Sequence, residues 1–165
     1  MNVVTRFMYW TREDKSNGTV GRAEMDGSGP VTLVAGLKRP RGIVVDYEAS
    51  RLYWNCRGDE TIQTSDLHGS DHHSVIQLAS GSWPYGIGVL NGRLYWTTFS
   101  SKTLQCCTKS GSDLQTLIMG KEHGYHLVVI PVLNDSLVGN RTNHCEKRGC
   151  AEVCVLTAAS FRCVT

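Results

Sequence analysis

The chain has 165 residues, of which 41% are hydrophobic and 19% are charged, a balance typical of a globular protein rather than a disordered one. Seventeen basic and 15 acidic residues give a formal net charge of +2 with no basic stripe, which excludes the electrostatic signature of a nucleic-acid-binding protein. No apolar run approaches the roughly 18 residues of a membrane span, and residues 1–10 lack the long apolar stretch of a secretory signal.

An aromatic pair recurs along the chain. It stands first in Tyr9-Trp10-Thr11 and returns in Tyr53-Trp54-Asn55 and Tyr95-Trp96-Thr97, so that the tryptophans are 44 and 42 residues apart. Turn glycines keep the same period, at Gly27, Gly69 and Gly111. A period just above 40 residues predicts four short strands per unit, as in one blade of a β-propeller.

The predicted strands of the second unit are separated by turn residues. They are Gly42–Val45, Arg51–Asn55, Thr61–Asp66 and His73–Leu78. In the third unit, the strands Gly86–Leu90 and Arg93–Thr97 are joined by Asn91-Gly92, a pair that favours a tight type I′ hairpin turn. Because neighbouring side chains of a strand point to opposite faces, both members of each aromatic pair are buried only if the sheet is covered on both sides.

Two stretches carry a resemblance to a known family: Arg22-Ala23-Glu24-Met25-Asp26-Gly27-Ser28, and Pro40-Arg41-Gly42-Ile43-Val44-Val45-Asp46 running on to Leu52-Tyr53-Trp54. They resemble the YWTD repeats of the low-density lipoprotein receptor family. The resemblance implies an all-β fold, with residues 1–133 forming a partial β-propeller of about three four-stranded blades in an open arc. The Asp of the motif is absent from all three copies, where Arg12, Cys56 and Thr98 stand instead. Any role that this Asp has in the family, including bonding between blades, is therefore in doubt for this chain.

Four of the seven cysteines crowd near the end of the chain with the spacing C-x4-C-x3-C-x8-C, at Cys145, Cys150, Cys154 and Cys163. Four cysteines allow three pairings, and a segment this small needs such cross-links because it cannot bury a core of its own. Asn-x-Ser/Thr sequons at Asn17, Asn134 and Asn140 also point to an oxidising, extracellular environment and predict glycosylation.

The segment Gly149–Leu156 is similar to the EGF-like modules that follow YWTD propellers. This resemblance implies a linker at residues 134–144, a truncated EGF-like module at residues 145–165, and the disulfides Cys145–Cys154 and Cys150–Cys163. Arg141 stands where calcium-binding relatives have an Asp, so we expect no calcium in this module. We expect no other metal and no cofactor in the chain. The other three cysteines have no family counterpart, and at least one of their thiols stays unpaired. They are Cys56, Cys106 and Cys107.

The leading functional hypothesis is a ligand-binding segment of an endocytic or signalling receptor related to the low-density lipoprotein receptor. Alternate connections of a meander share one rim of a propeller, where exposed aromatic and charged side chains favour protein ligands. The candidate binding residues are Arg39, Arg57, Asp59, Trp83, Tyr85 and Tyr125. The partners would be lipoproteins, secreted signalling proteins or matrix proteins. The location would be extracellular, in the ectodomain of a single-pass receptor whose membrane span lies outside this chain.

Three other hypotheses have some support in the sequence. A basement-membrane protein of nidogen-like architecture would also join such propellers to EGF-like modules, and Arg57-Gly58-Asp59 resembles the integrin-recognition motif. An enzyme would need a nucleophile with its base or a metal cluster, and the best candidates are Cys106-Cys107 with His123 and His126. Adjacent residues of a strand face opposite ways, so the two cysteines could hardly share one metal, and we expect no enzyme. The pair His72-His73 suggests a pH switch, yet we expect a solvated turn on the rim opposite the candidate binding residues.

Overall fold

The computed structural model describes residues 7–120, Leu127 and the backbone of two short strands near the end of the chain. The strands are β1 (Phe7–Arg12), β2 (Gly18–Glu24), β3 (Val31–Leu37), β4 (Pro40–Asp46), β5 (Arg51–Cys56), β6 (Thr61–Asp66), β7 (His73–Gln77), β8 (Pro84–Leu90), β9 (Arg93–Thr98), β10 (Thr103–Thr108), β11 (Gln115–Met119), β12 (Val153–Leu156) and β13 (Phe161–Val164). The all-β prediction is confirmed. Within these ranges no helix is long and apolar enough to cross a membrane.

The first eleven strands form three antiparallel meanders. Sheet 1 contains β1–β3, sheet 2 contains β4–β7 and sheet 3 contains β8–β11, with strands adjacent in chain order. Sheet 1 has three strands among the described residues instead of the expected four, because β1 carries Tyr9-Trp10 and therefore corresponds to β5 and β9, the second strands of the other sheets. Strands β12 and β13 form a separate hairpin in which Cys154 lies opposite Cys163.

The Asn91-Gly92 hairpin forms as predicted. Both residues adopt positive φ angles, 47° for Asn91 and 76° for Gly92, and Leu90 lies directly opposite Arg93. These are the angles that a type I′ turn needs, and they match the right-handed twist of the two strands that it joins. The turn fixes the register of β8 against β9, and with it the faces to which Tyr95 and Trp96 point.

The three sheets pack face against face, which covers both faces of β5, and the side chains of β9 are buried on both faces as well. Trp54 packs with Tyr9 in the apolar layer between sheets 1 and 2, and Trp96 packs with Tyr53 in the layer between sheets 2 and 3. In each layer a tyrosine of one sheet meets the tryptophan of the sheet that follows it. The prediction that both members of the aromatic pair are covered is confirmed for the second and third copies, since Trp54 and Trp96 are fully buried.

Two of the hydrogen bonds between the sheets come from the residue that follows a Tyr-Trp pair. The Thr11 hydroxyl donates to the Arg41 carbonyl, and the Asn55 Nδ2 atom donates to the Tyr85 carbonyl at 2.9 Å. The Asn55 Oδ1 atom also accepts the Gly42 N–H at 3.1 Å, within its own sheet. Bonding between sheets therefore needs no Asp in the motif.

Candidate ligand-binding rim

The turns that follow β1, β5 and β9 lie at one edge of the stacked sheets, together with the connections β3–β4 and β7–β8. We call this edge the ligand rim. Backbone hydrogen bonds join the two sets of loops, since Arg57 N–H donates to the Arg39 carbonyl at 2.9 Å and Phe99 N–H donates to the Trp83 carbonyl at 3.0 Å. The rim is therefore a connected surface rather than a set of independent loops.

Three side chains form a stacked column on the ligand rim. The Arg57 guanidinium carbon lies 4.3 Å from the ring centre of Trp83, and the Trp83 and Phe99 rings stack with centres 6.1 Å apart. A guanidinium over an indole face is attracted by the ring's π electrons and keeps its N–H groups available to a ligand. Trp83 remains 39% exposed, so the column offers one broad aromatic surface beside one cation.

The Arg57-Gly58-Asp59 turn is held against Lys38. Gly58 N–H donates to the Lys38 carbonyl at 3.0 Å, and an added Cβ at Gly58 would stand 2.7 Å from the Lys38 Cβ, so only glycine fits there. The Asp59 carboxylate pairs with the Lys38 ammonium at 2.9 Å, and this hydrogen bond raises the pKa of Lys38 above its ordinary value. Such an exposed ion pair contributes little to stability, so a ligand can replace either partner.

A cavity of about 440 Å³ opens where the first residues of β4 and β8 meet. Arg41 lies at its wall, with its guanidinium carbon 5.0 Å from the ring centre of Tyr85 and with an ion pair of 2.8 Å to Glu13. Arg41 is missing from the residues that the sequence marked as binding candidates. The signal for it was present, because Pro40-Arg41-Gly42 and Pro84-Tyr85-Gly86 occupy matching positions of two repeats.

The structure divides the predicted site residues into groups. Arg57, Asp59 and Trp83 lie together, Arg39 is tied to them through its carbonyl, and Tyr85 faces the neighbouring cavity. Tyr125 lies outside the described residues.

Asn17 is the sequon residue that the described part of the chain contains. It is exposed in the β1–β2 turn of the ligand rim, where its N–H donates to an Asp14 carboxylate oxygen at 2.9 Å. The other two sequons, at Asn134 and Asn140, lie outside the described residues. Glycosylation at all three sites stays a prediction.

The histidine pair lies on the opposite rim, in the region of the β6–β7 turn. The His72 Nε2 atom is 2.9 Å from the Gln63 Oε1 atom, and the His72 ring lies 5.4 Å from that of Trp54. Partial burial, with a smaller contribution from the neighbouring His73, lowers the pKa of His72 below its ordinary value. Protonation of His72 is therefore disfavoured by its packing.

The three cysteines without family counterparts are free and buried. Cys106 and Cys107 belong to different apolar layers, on opposite faces of β10, as the strand geometry predicts. Burial raises the pKa of Cys56 to about 12 and that of Cys107 to about 11, so both stay protonated and unreactive. In the described ranges no cluster of three or more His, Cys, Asp or Glu residues could hold a metal ion.

Two of the sequence predictions concern residues outside the described part of the chain. His123 and His126 lie outside the described residues, as do Cys145 and Cys150. Nothing is described of the side chains of β12 and β13, which carry Cys154 and Cys163. The EGF-like module and its two disulfides therefore stay predictions.

Comparison with known proteins supports the fold. No family model matches the chain. It is 35% identical over 91 residues to protein cueball of Drosophila yakuba and 35% identical over 81 residues to protein cueball of Drosophila grimshawi. These alignments cover 48% and 47% of this chain but only 14% and 13% of the relatives, so the chain spans about a seventh of their length.

Solved propellers superpose on the chain over most of its length. A chain of a nidogen/laminin complex aligns with a TM-score of 0.66 and 23% identity, covering 77% of this chain and 49% of that one. Regucalcin from Agrobacterium tumefaciens aligns with a TM-score of 0.64 and 9% identity, over 74% of this chain and 45% of that one. A luciferin-regenerating enzyme aligns with a TM-score of 0.58 and 9% identity, over 76% of this chain and 50% of that one. The three stacked sheets are blades of a β-propeller.

Proposed function

We propose that this chain is a protein-binding segment of an extracellular receptor related to the low-density lipoprotein receptor, and that it binds rather than catalyses. The observation that carries the proposal is the Arg57–Trp83–Phe99 column on the ligand rim, in which Trp83 is exposed and the other two side chains are half-buried. Tryptophan and arginine are the residues most enriched at the energetic centres of protein interfaces. The repeats that resemble YWTD motifs and the late cysteines support the receptor family and the extracellular location.

The charge of the rim indicates the kind of partner. The described residues of the rim and the adjoining cavity wall carry six cations and four anions: Lys15, Lys38, Arg39, Arg41, Arg57 and Lys102 stand among Glu13, Asp14, Asp59 and Glu60. A protein surface with an acidic group next to an apolar patch fits this arrangement, because the acid can meet Arg57 while the patch covers the Trp83 ring.

A second candidate function is matrix adhesion of the nidogen type. It is favoured by the alignment with a chain of a nidogen/laminin complex. In one form of this hypothesis the Arg57-Gly58-Asp59 turn binds an integrin. Both functions use the same rim, so the choice between them rests on the ligand.

The experiment measures binding of the chain to three purified probes, namely low-density lipoprotein, laminin and an integrin ectodomain. Trp83→Ala is expected to weaken binding of the true ligand by on the order of 1–3 kcal/mol. Tyr47→Ala is the matched control, because Tyr47 is an exposed aromatic residue in the β4–β5 turn of the opposite rim. Each variant is first checked for an unchanged circular dichroism spectrum and melting curve.

Each outcome has a defined meaning. Lipoprotein binding that depends on Trp83 supports the receptor, whereas laminin binding with the same dependence supports the matrix protein. Integrin binding that is lost in Asp59→Ala and kept in Trp83→Ala supports the adhesion motif. Binding that survives Trp83→Ala and Asp59→Ala but is lost in Tyr47→Ala would place the site on the opposite rim and overturn the proposal.

A further inference from the structure

Lys38 lies beside the stacked column of the ligand rim and is absent from the binding residues that the sequence predicts. Its carbonyl accepts the Gly58 N–H at 3.0 Å, and the carbonyl of the next residue, Arg39, accepts the Arg57 N–H at 2.9 Å. An added Cβ at Gly58 would stand 2.7 Å from the Lys38 Cβ, so the two residues are in close contact. The backbone therefore holds Lys38 at a fixed place next to Arg57.

The Lys38 ammonium pairs with the Asp59 carboxylate at 2.9 Å, and both side chains reach solvent, with 58% and 32% of their surface exposed. The Asp59 backbone is held separately, because the Gln77 Nε2 atom donates to its carbonyl at 2.9 Å. The carboxylate can therefore leave the ammonium by rotation of the side chain alone. An exposed pair of this kind contributes little to stability, since water solvates both ions well when they separate.

A second ion pair of the rim is less open to exchange. Arg41 pairs with Glu13 at 2.8 Å, but the Arg41 side chain is only 25% exposed. Its guanidinium carbon also lies 5.0 Å from the ring centre of Tyr85, and its Nη1 atom is 3.4 Å from the Tyr85 hydroxyl. A ligand would have to break several contacts to use Arg41, but a single ion pair to use Lys38. Lys38 is therefore the more accessible of these two cations.

We propose that Lys38 is a second carboxylate-binding position of the ligand rim, and that Asp59 competes with the ligand for it. This inference rests on the proposed function and specifies the chemistry of the ligand as an acidic peptide segment. The segment offers one carboxylate to Arg57, a second to Lys38 and an apolar side chain to the Trp83 ring. The ligand's carboxylate replaces that of Asp59, so Lys38 stays paired throughout the exchange.

This proposal gives Asp59 the opposite role to the one it has in an adhesion motif. If an integrin bound the Arg57-Gly58-Asp59 turn, the Asp59 carboxylate would be required, and its removal would weaken binding. For an acidic ligand the same removal strengthens binding, because it releases Lys38 and takes away a charge of the same sign as the ligand's. The sign of the effect at position 59 therefore separates the two roles.

The test is an NMR titration of the chain with the acetylated and amidated peptide Glu-Glu-Leu-Leu, with Gln-Gln-Leu-Leu as the uncharged control peptide. Asp59→Asn is expected to tighten binding of the acidic peptide about two- to fivefold, the range that an exposed ion pair supplies. Glu60→Gln is the matched control. It removes the same charge from the next residue, and none of the ion pairs within residues 7–120 includes Glu60, so its effect should be clearly smaller.

A double-mutant cycle assigns the effect to Lys38. Lys38→Met is expected to weaken binding of the acidic peptide, whereas Lys15→Met, which removes an exposed cation from the β1–β2 turn of the same rim, should change it much less. In the double variant Lys38→Met with Asp59→Asn, the gain caused by Asp59→Asn should disappear, because no ammonium remains to be released. Circular dichroism spectra and melting curves check that each variant keeps its fold.

Three results would overturn the proposal. They are an equal gain in Asp59→Asn and Glu60→Gln, a gain from Asp59→Asn that persists beside Lys38→Met, and the absence of acidic-peptide binding in every variant. The proposed function fails by a different result, namely binding of laminin and of lipoprotein that is unchanged in Trp83→Ala. Because that measurement does not involve Lys38, the two failures can be told apart.

Discussion

Sheet 2 and sheet 1 carry the same aromatic pair in different surroundings. Sheet 2 has a neighbour on each face, and its Trp54 is fully buried, whereas sheet 1 has a described neighbour on one face only, and its Trp10 is 37% exposed. The difference shows that the repeated motif specifies an interface between blades and not the core of a single sheet. A blade of this type has two apolar faces, so its stability depends on how many of them are covered.

The largest expected effect comes from removing the covered tryptophan. Trp54→Ala leaves a cavity between sheets 1 and 2, and we expect the free energy of unfolding to fall by about 3–5 kcal/mol. Trp83→Ala is the control, because Trp83 is about as exposed as Trp10 and lies outside both apolar layers, and its cost should stay below about 1 kcal/mol. Chemical unfolding followed by fluorescence or circular dichroism measures both. Equal losses would mean that coverage by neighbouring blades is not what stabilises the motif.

The next effect concerns the hydrogen bonds at the same interface. Asn55→Leu leaves the Gly42 N–H and the Tyr85 carbonyl without the bonds that Asn55 provides, at a cost of about 2–6 kcal/mol, since each unsatisfied buried group costs about 1–3 kcal/mol. Asn55→Thr should cost much less. Thr11 already donates across the preceding interface from the matching position, and Thr97 accepts the Gly86 N–H at 3.0 Å.

The comparison of Leu with Thr at position 55 separates hydrogen bonding from packing. Both replacements remove the amide of Asn55, but only Thr supplies a hydroxyl that can donate and accept hydrogen bonds in its place. The two variants are compared in parallel by urea unfolding. If Asn55→Thr is as destabilising as Asn55→Leu, then the bonds between sheets contribute little, and the layers around Trp54 and Trp96 alone hold the blades together.

Much of the fold could be predicted from the sequence, because the 42-residue period is visible in single residues. Tyr53-Trp54 predicted a strand that is covered on both sides, and Asn91-Gly92 predicted a turn type and, with it, a register. The sequence, however, suggested that bonding between blades depends on the motif's Asp, at positions 12, 56 and 98, whereas Thr11 and Asn55 make such bonds. Which side chain bonds the sheets together depends on the distance from Asn55 to the Tyr85 carbonyl, and that distance is set by the packing of two blades rather than by any one repeat.

The candidate site was predictable only in part, for the same reason. Loops that share a rim follow from the meander, which placed Arg57, Asp59 and Trp83 near one another. Their pairing does not follow: Arg57 stacks on Trp83 from another blade, and Asp59 binds Lys38. Arg41 was missed because an arginine in a Pro-Arg-Gly segment resembles a turn residue, and its position at the cavity wall is created by the approach of β4 to β8.

The smallest expected effect is a pH dependence confined to sheet 2. His72 lies near the Trp54 ring, and the matching positions of the other two sheets hold Pro30 and Leu114, so only sheet 2 has a titrating group there. Because partial burial lowers the pKa of His72 in the folded state, the unfolded state binds its proton more readily. The free energy of unfolding therefore falls as the pH drops from about 6.5 through the depressed folded pKa.

The change that His72 contributes should be about 0.5 kcal/mol or less, since solvent reaches much of the ring and screens its charge. His72→Gln removes the proton-binding group, so the wild type and the variant should melt in parallel between pH 7 and 8. Between pH 6.5 and 5 the wild type should lose more stability than the variant, and an NMR titration of the His72 ring should give a midpoint below that of an unfolded peptide. Parallel curves over the whole range, or a midpoint above the peptide value, would show that packing near Trp54 does not disfavour the charged ring.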